Sequence, residues 1–338
     1  MTTQPMTLEE VHSLAFSAFM EAGANAEHAS AVADTITAAE RDGCASHGLF
    51  RLPGYLKALQ SGKAKGAPNV TVEKIAPSVL RVDADNAFAP LAVRAGHPPL
   101  IELARETGVA ALALVKTHHF SALWPDTEPL AKAGLAALAC TAYMPVMAPA
   151  GAQVPFFGTN PLSFAWPRKD GEPMVFDMAT AAMARGELQI AARDGHSVPE
   201  TAGIGPDGQP STDPAAILKG AQLPFGGYKG SAIALMVEML CAGLIGEAFS
   251  DEAKARDNGD GGPPQGGEFI LALDPERFGN AAGWQDHADA YLARFEALPG
   301  GPLLPGSRRR HKRATIAENG VSVPTSLIDD IHKQRGKS

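Results

Sequence analysis

The sequence predicts an α/β fold in which a layered sheet body is joined to a mainly helical part drawn from both ends of the chain. Three observations carry this. Helical patterns fill the first 69 residues, strand and helix patterns alternate from Val70 onward, and a further helical pattern follows the last strand.

The elements follow in order. Thr7-Leu8-Glu9-Glu10 has the spacing of a capping box, and Leu8, Val11, Leu14 and Ala18 recur at helical intervals, so a first helix runs to about Glu21. Asn25 is placed to cap a second helix over 26–41, with Gly43 as its stop, and Pro53 opens a third that ends by Gly62. Residues 70–75 and 78–82 have strand character. Beyond them we expect helix 89–107, strand 109–116, helix 126–133, strand 135–143, strands near 162–166 and 173–177, and helix 184–194. The Gly/Pro/Asp-rich stretch 195–214 and the polar insert 250–267 are expected as loops. Between them, 231–249 is apolar but carries Glu238 and Glu247, which suits a buried core helix better than a membrane span. Strand 268–273 returns to the sheet, and a helix over about 283–298 is expected to rejoin the helical part. That part is then discontinuous, residues 1–69 with 283–338, around an α/β domain of 70–282.

At 338 residues and 45% hydrophobic, the chain can fill a sizeable core. A net charge of −8 argues against sequence-independent nucleic-acid binding, which needs surplus Lys and Arg to displace counterions, and points to small-molecule work. Cys44, Cys140 and Cys241 are scattered, with no CxxC spacing, so neither disulfides nor a structural zinc is expected and a reducing cytoplasm fits best. The N-terminus lacks a basic region followed by an apolar one, and no membrane segment is expected.

Gly203-Ile204-Gly205-Pro206-Asp207-Gly208 matches G-x-G-x-x-G in letters only. Pro206 removes an N–H and Gln209-Pro210-Ser211 does not open a helix, so nothing there can hold a pyrophosphate. If a dinucleotide binds, another structure holds it.

Chemistry is concentrated elsewhere. In Ser46-His47-Gly48-Leu49-Phe50-Arg51-Leu52-Pro53, a helical conformation would put His47 and Arg51 on one face, offering a proton carrier beside a bidentate carboxylate grip. A solvated histidine at a helix end has the same local signature. Thr117-His118-His119-Phe120-Ser121-Ala122-Leu123-Trp124 follows an apolar strand, where open α/β sheets place ligands. A metal is not expected there, because adjacent histidines point apart and no acidic or cysteine partner lies at ligand spacing. Phe157-Gly158-Thr159-Asn160-Pro161 and Val175-Phe176-Asp177-Met178-Ala179-Thr180 expose backbone groups at strand ends. Arg185-Gly186-Glu187 opens a helix whose acid either caps the dipole or orients a histidine. Gly226-Gly227-Tyr228-Lys229 stands at the entrance to an apolar helix as an anion-site candidate, and the basic run Arg308–Arg313 is either solvated surface or a phosphate contact.

Taken together and in this order, these motifs resemble the malate/L-lactate dehydrogenase family that lacks a Rossmann fold, over roughly Thr7 to Pro324. The carrying residues are Ser46-His47-Gly48 with Arg51-Leu52-Pro53, Phe157–Pro161, Phe176–Thr180, Arg185-Gly186, Leu223–Gly230 and Leu304-Pro305-Gly306. The resemblance implies a non-Rossmann nicotinamide-binding sheet domain with a discontinuous, mainly helical domain, in a homodimer. Within the family, His118–Asp126 is similar to the Δ1-piperideine-2-carboxylate/Δ1-pyrroline-2-carboxylate reductases, which implies a cyclic imino acid as substrate. The alternative is a 2-hydroxy-acid dehydrogenase acting on a 2-keto acid. By the same resemblance Ser46, His47 and Glu187 form a proton relay, although Glu187 stands where Asp is expected. Arg51, Thr159, Arg185 and Gly186 hold substrate. Cofactor contacts fall to His119, Phe120, Ser121, Ala122, Leu123, Asp177, Met178, Ala179, Lys229, Gly306, Ser307, Arg308 and Arg309. The two arginines suit a 2′-phosphate, so NADPH is expected, with NADH as an alternative donor. No metal, nucleic acid or membrane partner is expected.

Overall fold

The computed structural model describes residues 2–169, 171–279 and 283–335. A short strand, β1 (Thr3–Met6), leads into α1 (Leu8–Glu21), which starts with the expected capping box: the Thr7 hydroxyl accepts from the Glu10 amide at 3.1 Å, and the Glu10 carboxylate accepts from the Thr7 amide at 2.7 Å. Asn25 caps α2 (Ala26–Arg41), its side chain accepting from the His28 amide at 2.9 Å. Two single 3-10 turns, Ala45–His47 and Leu49–Arg51, then carry the chain into α3 (Leu52–Gln60). Phe19, Ile36, Leu52 and Tyr55 from these helices share a core with Ile328 and Ile331 from the far end of the chain.

The sheet body comprises β2 (Thr71–Ala76), β3 (Val79–Asp83), α4 (Ala89–Thr107), β4 (Val109–His118), α5 (Trp124–Lys132), β5 (Ala136–Thr141), β6 (Leu162–Trp166), β7 (Met174–Met178) and α6 (Arg185–Asp194). A two-residue ladder of β8 (Gly203–Ile204) and β9 (Ala221–Gln222) flanks α7 (Pro214–Lys219), and α8 (Tyr228–Glu238), α9 (Ser250–Arg256) and β10 (Gln265–Leu273) follow. Seven strands lie in the order β2-β3-β4-β10-β5-β6-β7, and β3–β4 is the parallel pair among otherwise antiparallel neighbours. The late strand β10 is thus central. Leu112, Leu114 and Ile270 pack on Leu91 and Leu100 of α4, while Val115, Cys140 and Phe269 pack on Val237 and Cys241 from the other face. Strands covered on both faces have near-continuous apolar sequences, as β4 and β10 do. The pairing Gln265↔His118 sets the start of β10 beside the loop that leaves β4.

The glycine motif at 203–208 sits in a turn, with the Gly205 amide donating to Gln209 O at 2.8 Å and the Gly208 amide to Gly205 O at 3.0 Å. It opens no helix.

Several expectations are corrected. The insert 250–267 is not all loop, since Asp251 and Glu252 in its first turn support α9. Residues 231–249 are not one buried helix: α8 passes at Glu238 into a π turn, Met239–Leu244, and Leu235, Met236, Met239 and Leu244 face outward, Leu244 with 64% of its surface free. The expected helix at 283–298 is α10 (Trp284–Glu296), yet it docks on the sheet edge, because Trp284 meets Trp166 edge-on at 5.8 Å and Asp289 pairs with Arg168 at 3.2 Å. The boundary expected between 282 and 283 begins at residues 280–282, outside the described residues. The basic run Arg308–Arg313 lies on a helix, α11 (Ser307–Asn319), with Gly306 before its first residue. What rejoins the helical part is β11 (Val321–Pro324), which pairs antiparallel with β1, and α12 (Thr325–Arg335), tied by Arg335 to Glu21.

Candidate active site

The break between α2 and α3 is built around a buried carboxyl. Glu40, on the last turn of α2, accepts from the Leu49 amide at 2.8 Å, and a Cβ on Gly48 would stand 2.1 Å from the Glu40 Oε1, so only glycine admits this approach. Gly48 therefore splits the segment into two turns, and the single helical face expected for His47 and Arg51 does not form. Both side chains still reach one cavity. Ser46 Oγ lies 3.0 Å from His47 Nδ1, and Arg51 Nε donates to Ser46 O at 2.8 Å. The Arg51 guanidinium also rests 5.0 Å above the Phe120 ring and 5.4 Å from that of Phe50. Gly186 closes in on it: a Cβ there would be 2.7 Å from Arg51 Nη2 and 2.9 Å from Ser46 Cβ.

Burial, with the Arg51 guanidinium and His119 adding to it, pushes the His47 imidazole down to about 3. Without a ligand it is neutral at ordinary pH, which departs from the titration near neutrality that the residue type suggests. Cys44, whose Sγ lies 3.8 Å from His47 Nδ1, is pushed by burial up to about 11 and stays a thiol.

The facing wall comes from strand ends. Asn160 holds the 157–161 segment by accepting from the Tyr143 amide at 3.2 Å and donating to Glu238 at 2.8 Å, while Thr159 O accepts from the Thr180 amide at 2.8 Å. Asp177, at the end of β7, accepts from the Leu123 amide at 2.7 Å and the Trp124 amide at 3.1 Å, so it fixes the loop after β4. At the far end α11 presents Arg308 and Lys312, both exposed. Arg309 is committed to Val175 O at 2.7 Å and to the Trp124 ring at 4.8 Å, and Arg313 pairs with Asp42 and Glu128.

These walls enclose a cavity of about 760 Å³. It brings together Ser46, His47, Arg51, Thr159, Arg185, Gly186, Glu187, the 119–123 and 177–179 segments, Arg308 and Arg309. Glu187 lies exposed at its rim, and among the described residues no hydrogen bond joins it to Ser46 or His47. Lys229, Gly306 and Ser307 do not line the cavity. Lys229 sits exposed on the first turn of α8, where Gly230 is required because a Cβ would lie 2.5 Å from Phe225 O. Gly306 adopts φ +89° and starts α11 against Val175. A second cavity of about 430 Å³ adjoins the first at Arg51, Phe120, Tyr143 and Arg185. The donor set suits a nicotinamide dinucleotide: cations at one end for phosphate, a short amide-bearing loop along the side, and a proton-carrying pair beside an arginine at the other.

The family model described as malate/L-lactate dehydrogenase matches residues 6–332. The chain belongs to the malate/L-lactate dehydrogenase family. It is 48% identical over 328 residues to a Δ1-pyrroline-2-carboxylate reductase of Ancylobacter novellus, covering 96% of each chain. A Δ1-pyrroline-2-carboxylate/Δ1-piperideine-2-carboxylate reductase of Pseudomonas aeruginosa is 46% identical over 96% of this chain and 98% of that one. The crystal structure of Δ1-piperideine-2-carboxylate reductase from Pseudomonas syringae pv. tomato superposes with a TM-score of 0.91 at 41% identity, covering 98% of this chain and 100% of that one. Family membership makes the chain a nicotinamide-dependent oxidoreductase, and the expected α/β fold without a Rossmann motif is the one observed.

Several residues of this family member's site carry no local signal in the sequence. Phe50 and Tyr143 frame Arg51, and Gln189 Oε1 accepts from it at 3.4 Å across 138 residues of chain. Glu40 holds the Leu49 amide from the end of α2. His119, Asp126 and Glu268 bring their nearest side-chain donor atoms within 4.8 Å of one another, all buried. The absence of an acid beside the histidines in sequence had argued against such a group, but β10 supplies Glu268 from the middle of the sheet.

Proposed function

We propose that the chain reduces a cyclic 2-imino acid, Δ1-pyrroline-2-carboxylate or Δ1-piperideine-2-carboxylate, with NADPH, giving L-proline or L-pipecolate. The observation that carries this reading is Arg51, held by Ser46 O between two aromatic rings, beside an imidazole kept neutral by its surroundings. Arg51 grips the substrate carboxylate in bidentate fashion, with Arg185 and Gly186 shaping the opposite side and Thr159 bounding the floor. The cofactor supplies a hydride. A protonated imine brings its own proton, so His47 has only to orient the ring nitrogen, whereas a keto acid becomes an alkoxide that must take one. A neutral His47 backed by the Ser46 hydroxyl fits the imine better. Glu187 stands at the entrance, where its charge completes the relay with water.

Residues 119–123 and 177–179 hold the cofactor, and Arg308 with Lys312 receives its 2′-phosphate, which favours NADPH over NADH. The outward-facing apolar residues of α8 and the π turn fit burial against a second copy, which supports a homodimer. No helix of the described residues is long and apolar enough to cross a membrane, and scattered cysteines are in keeping with a reducing cytoplasm. Residues 1–69 with the C-terminal segment form the helical domain, and 70–282 the cofactor-binding one.

The test is NADPH and NADH oxidation with both cyclic imines, pyruvate and oxaloacetate. The reading requires higher kcat/KM for an imine than for either keto acid; the reverse order makes the chain a hydroxy-acid dehydrogenase.

A further inference from the structure

Beneath the loop that follows β4, three side chains face one another with nothing to bond. Asp126 Oδ2, both carboxylate oxygens of Glu268 and His119 Nε2 are sealed from solvent and have no hydrogen-bond partner. His119 Nε2 lies 3.5 Å from Glu268 Oε2. Each comes from a different element: His119 from the cavity-lining loop, Asp126 from the first turn of α5, Glu268 from β10, where it is wholly buried. Among the described residues no lysine, arginine or backbone amide is hydrogen-bonded to either carboxyl.

A carboxylate only accepts hydrogen bonds, and two buried side by side do not both ionise. One proton held between them turns one group into a donor and removes one charge. The other titratable groups around the cluster supply no cation. Tyr55 on α3 and Cys241 in the π turn are held protonated by burial, His97 on α4 and His47 across the cavity are held neutral, and Asp177 on β7 adds negative character. Burial raises both Asp126 and Glu268 above the ordinary carboxylate range, and the Glu268 charge further opposes ionisation of Asp126, while hydrogen bonding from the Asp126 side chain offsets part of the rise at Glu268.

We propose that Asp126 and Glu268 share one proton and together act as positioning residues for His119, holding its imidazole in the cavity wall at the start of the 119–123 segment. The pair's remaining negative charge faces Nε2, and the Nε2–H tautomer of a neutral imidazole answers it. The shared proton stands independently of what fills the cavity. Only the positioning half rests on reading the cavity as the cofactor site.

The two halves are tested separately on the full chain. Infrared spectroscopy of the ligand-free protein at pH 7 should show a protonated-carboxyl band that is lost in both Glu268→Gln and Asp126→Asn, where an amide N–H replaces the proton. Stability gives a second reading. Because the folded value of Glu268 is raised to about 8 from an unfolded value of 4.5, its stabilising proton is fully present below the lower value and lost as pH rises through the upper. The wild-type Tm should therefore fall across that window, and the Gln variant should lack this component. No protonated-carboxyl band, or a stoichiometric metal ion in the purified protein that Glu268→Gln strips, overturns the shared proton.

For positioning, Glu268→Ala should weaken NADPH binding about tenfold, with Gln restoring it to within about twofold. If the alanine variant does not fold, Asp126→Asn and Glu268→Gln carry the comparison: both should keep near-normal NADPH affinity while removing its decline between pH 7 and about 9. NADPH affinity unchanged in the alanine variant, or an unchanged pH profile in the amide variants, overturns the positioning role. Failure of the wild type itself to bind NADPH or NADH would instead bring down the cofactor reading, and the positioning half with it.

Discussion

The two ends of the main cavity are built differently. At the Arg51 end the polar groups are already committed: Arg51 to Ser46 O and Gln189, Ser46 to His47, and the Leu49 amide to Glu40. At the α11 end Arg308 and Lys312 are exposed and make no hydrogen bond or ion pair among the described residues. Fixed geometry suits a small planar carboxylate next to a reacting carbon, where misplacement of about 1 Å is costly. Exposed cations without a protein partner suit a phosphate, which rewards charge more than angle. The difference also separates the basic run into parts, since Arg309, Arg310 and Arg313 are structural while Arg308 is free to bind.

Substitutions at the fixed end should have the larger effects. His47→Ala should lower turnover of a keto acid by about 10²- to 10⁴-fold, with a smaller loss for the cyclic imine and an almost unchanged NADPH affinity. Equal losses on both substrates in steady-state assays would make His47 a structural residue. Arg51→Lys should raise KM for the carboxylate substrate on the order of 10²-fold, because an ammonium cannot reproduce the fork, and fluorescence titration should show NADPH affinity within about twofold of wild type. Parallel losses for both ligands would mean that the two ends are not separate. Gly186→Ala crowds the guanidinium and Ser46 together, and a KM increase of about tenfold is expected without a change in cofactor binding.

The α11 end should respond less and more selectively. Arg308→Ala should weaken NADPH about tenfold relative to NADH, since only the former carries a 2′-phosphate. Arg309→Ala, by contrast, removes the bond to Val175 O and the Trp124 contact, so it should lower Tm by a few degrees, on the order of 1 kcal/mol, more than it alters the cofactor ratio. A matching cofactor shift in both variants would undo the distinction between free and structural arginines.

What was legible in the sequence was local. The Thr7–Glu10 box, the Asn25 cap and the bounds 89–107 of α4 are written in neighbouring residues, and so is the clustering of Ser46, His47 and Arg51. The split of that cluster into two turns was hidden, because it depends on Glu40 reaching Gly48 from the end of another helix. The pairing of β1 with β11, more than 300 residues apart in the chain, has no local mark beyond two short extended segments. The basic run Arg308–Arg313 left solvated surface and phosphate contact both open, because charge density does not show which arginines are held by Val175 O, Asp42 and Glu128. Most informative was the cluster of His119, Asp126 and Glu268: it exists only because β10 inserts between β4 and β5, and strand order is not readable from apolar periodicity.

The central claim is that a hydride passes from the nicotinamide to the ring carbon of an imino acid held by Arg51. It is tested most directly by running the reaction in ordinary water with NADPH carrying deuterium at its transferable position and Δ1-pyrroline-2-carboxylate as substrate, then locating the label by mass spectrometry and NMR. The account predicts L-proline with one deuterium at C2, and loss of this product in Arg51→Lys at low substrate. Unlabelled proline, or label delivered to pyruvate or oxaloacetate while the imine remains untouched, would contradict it.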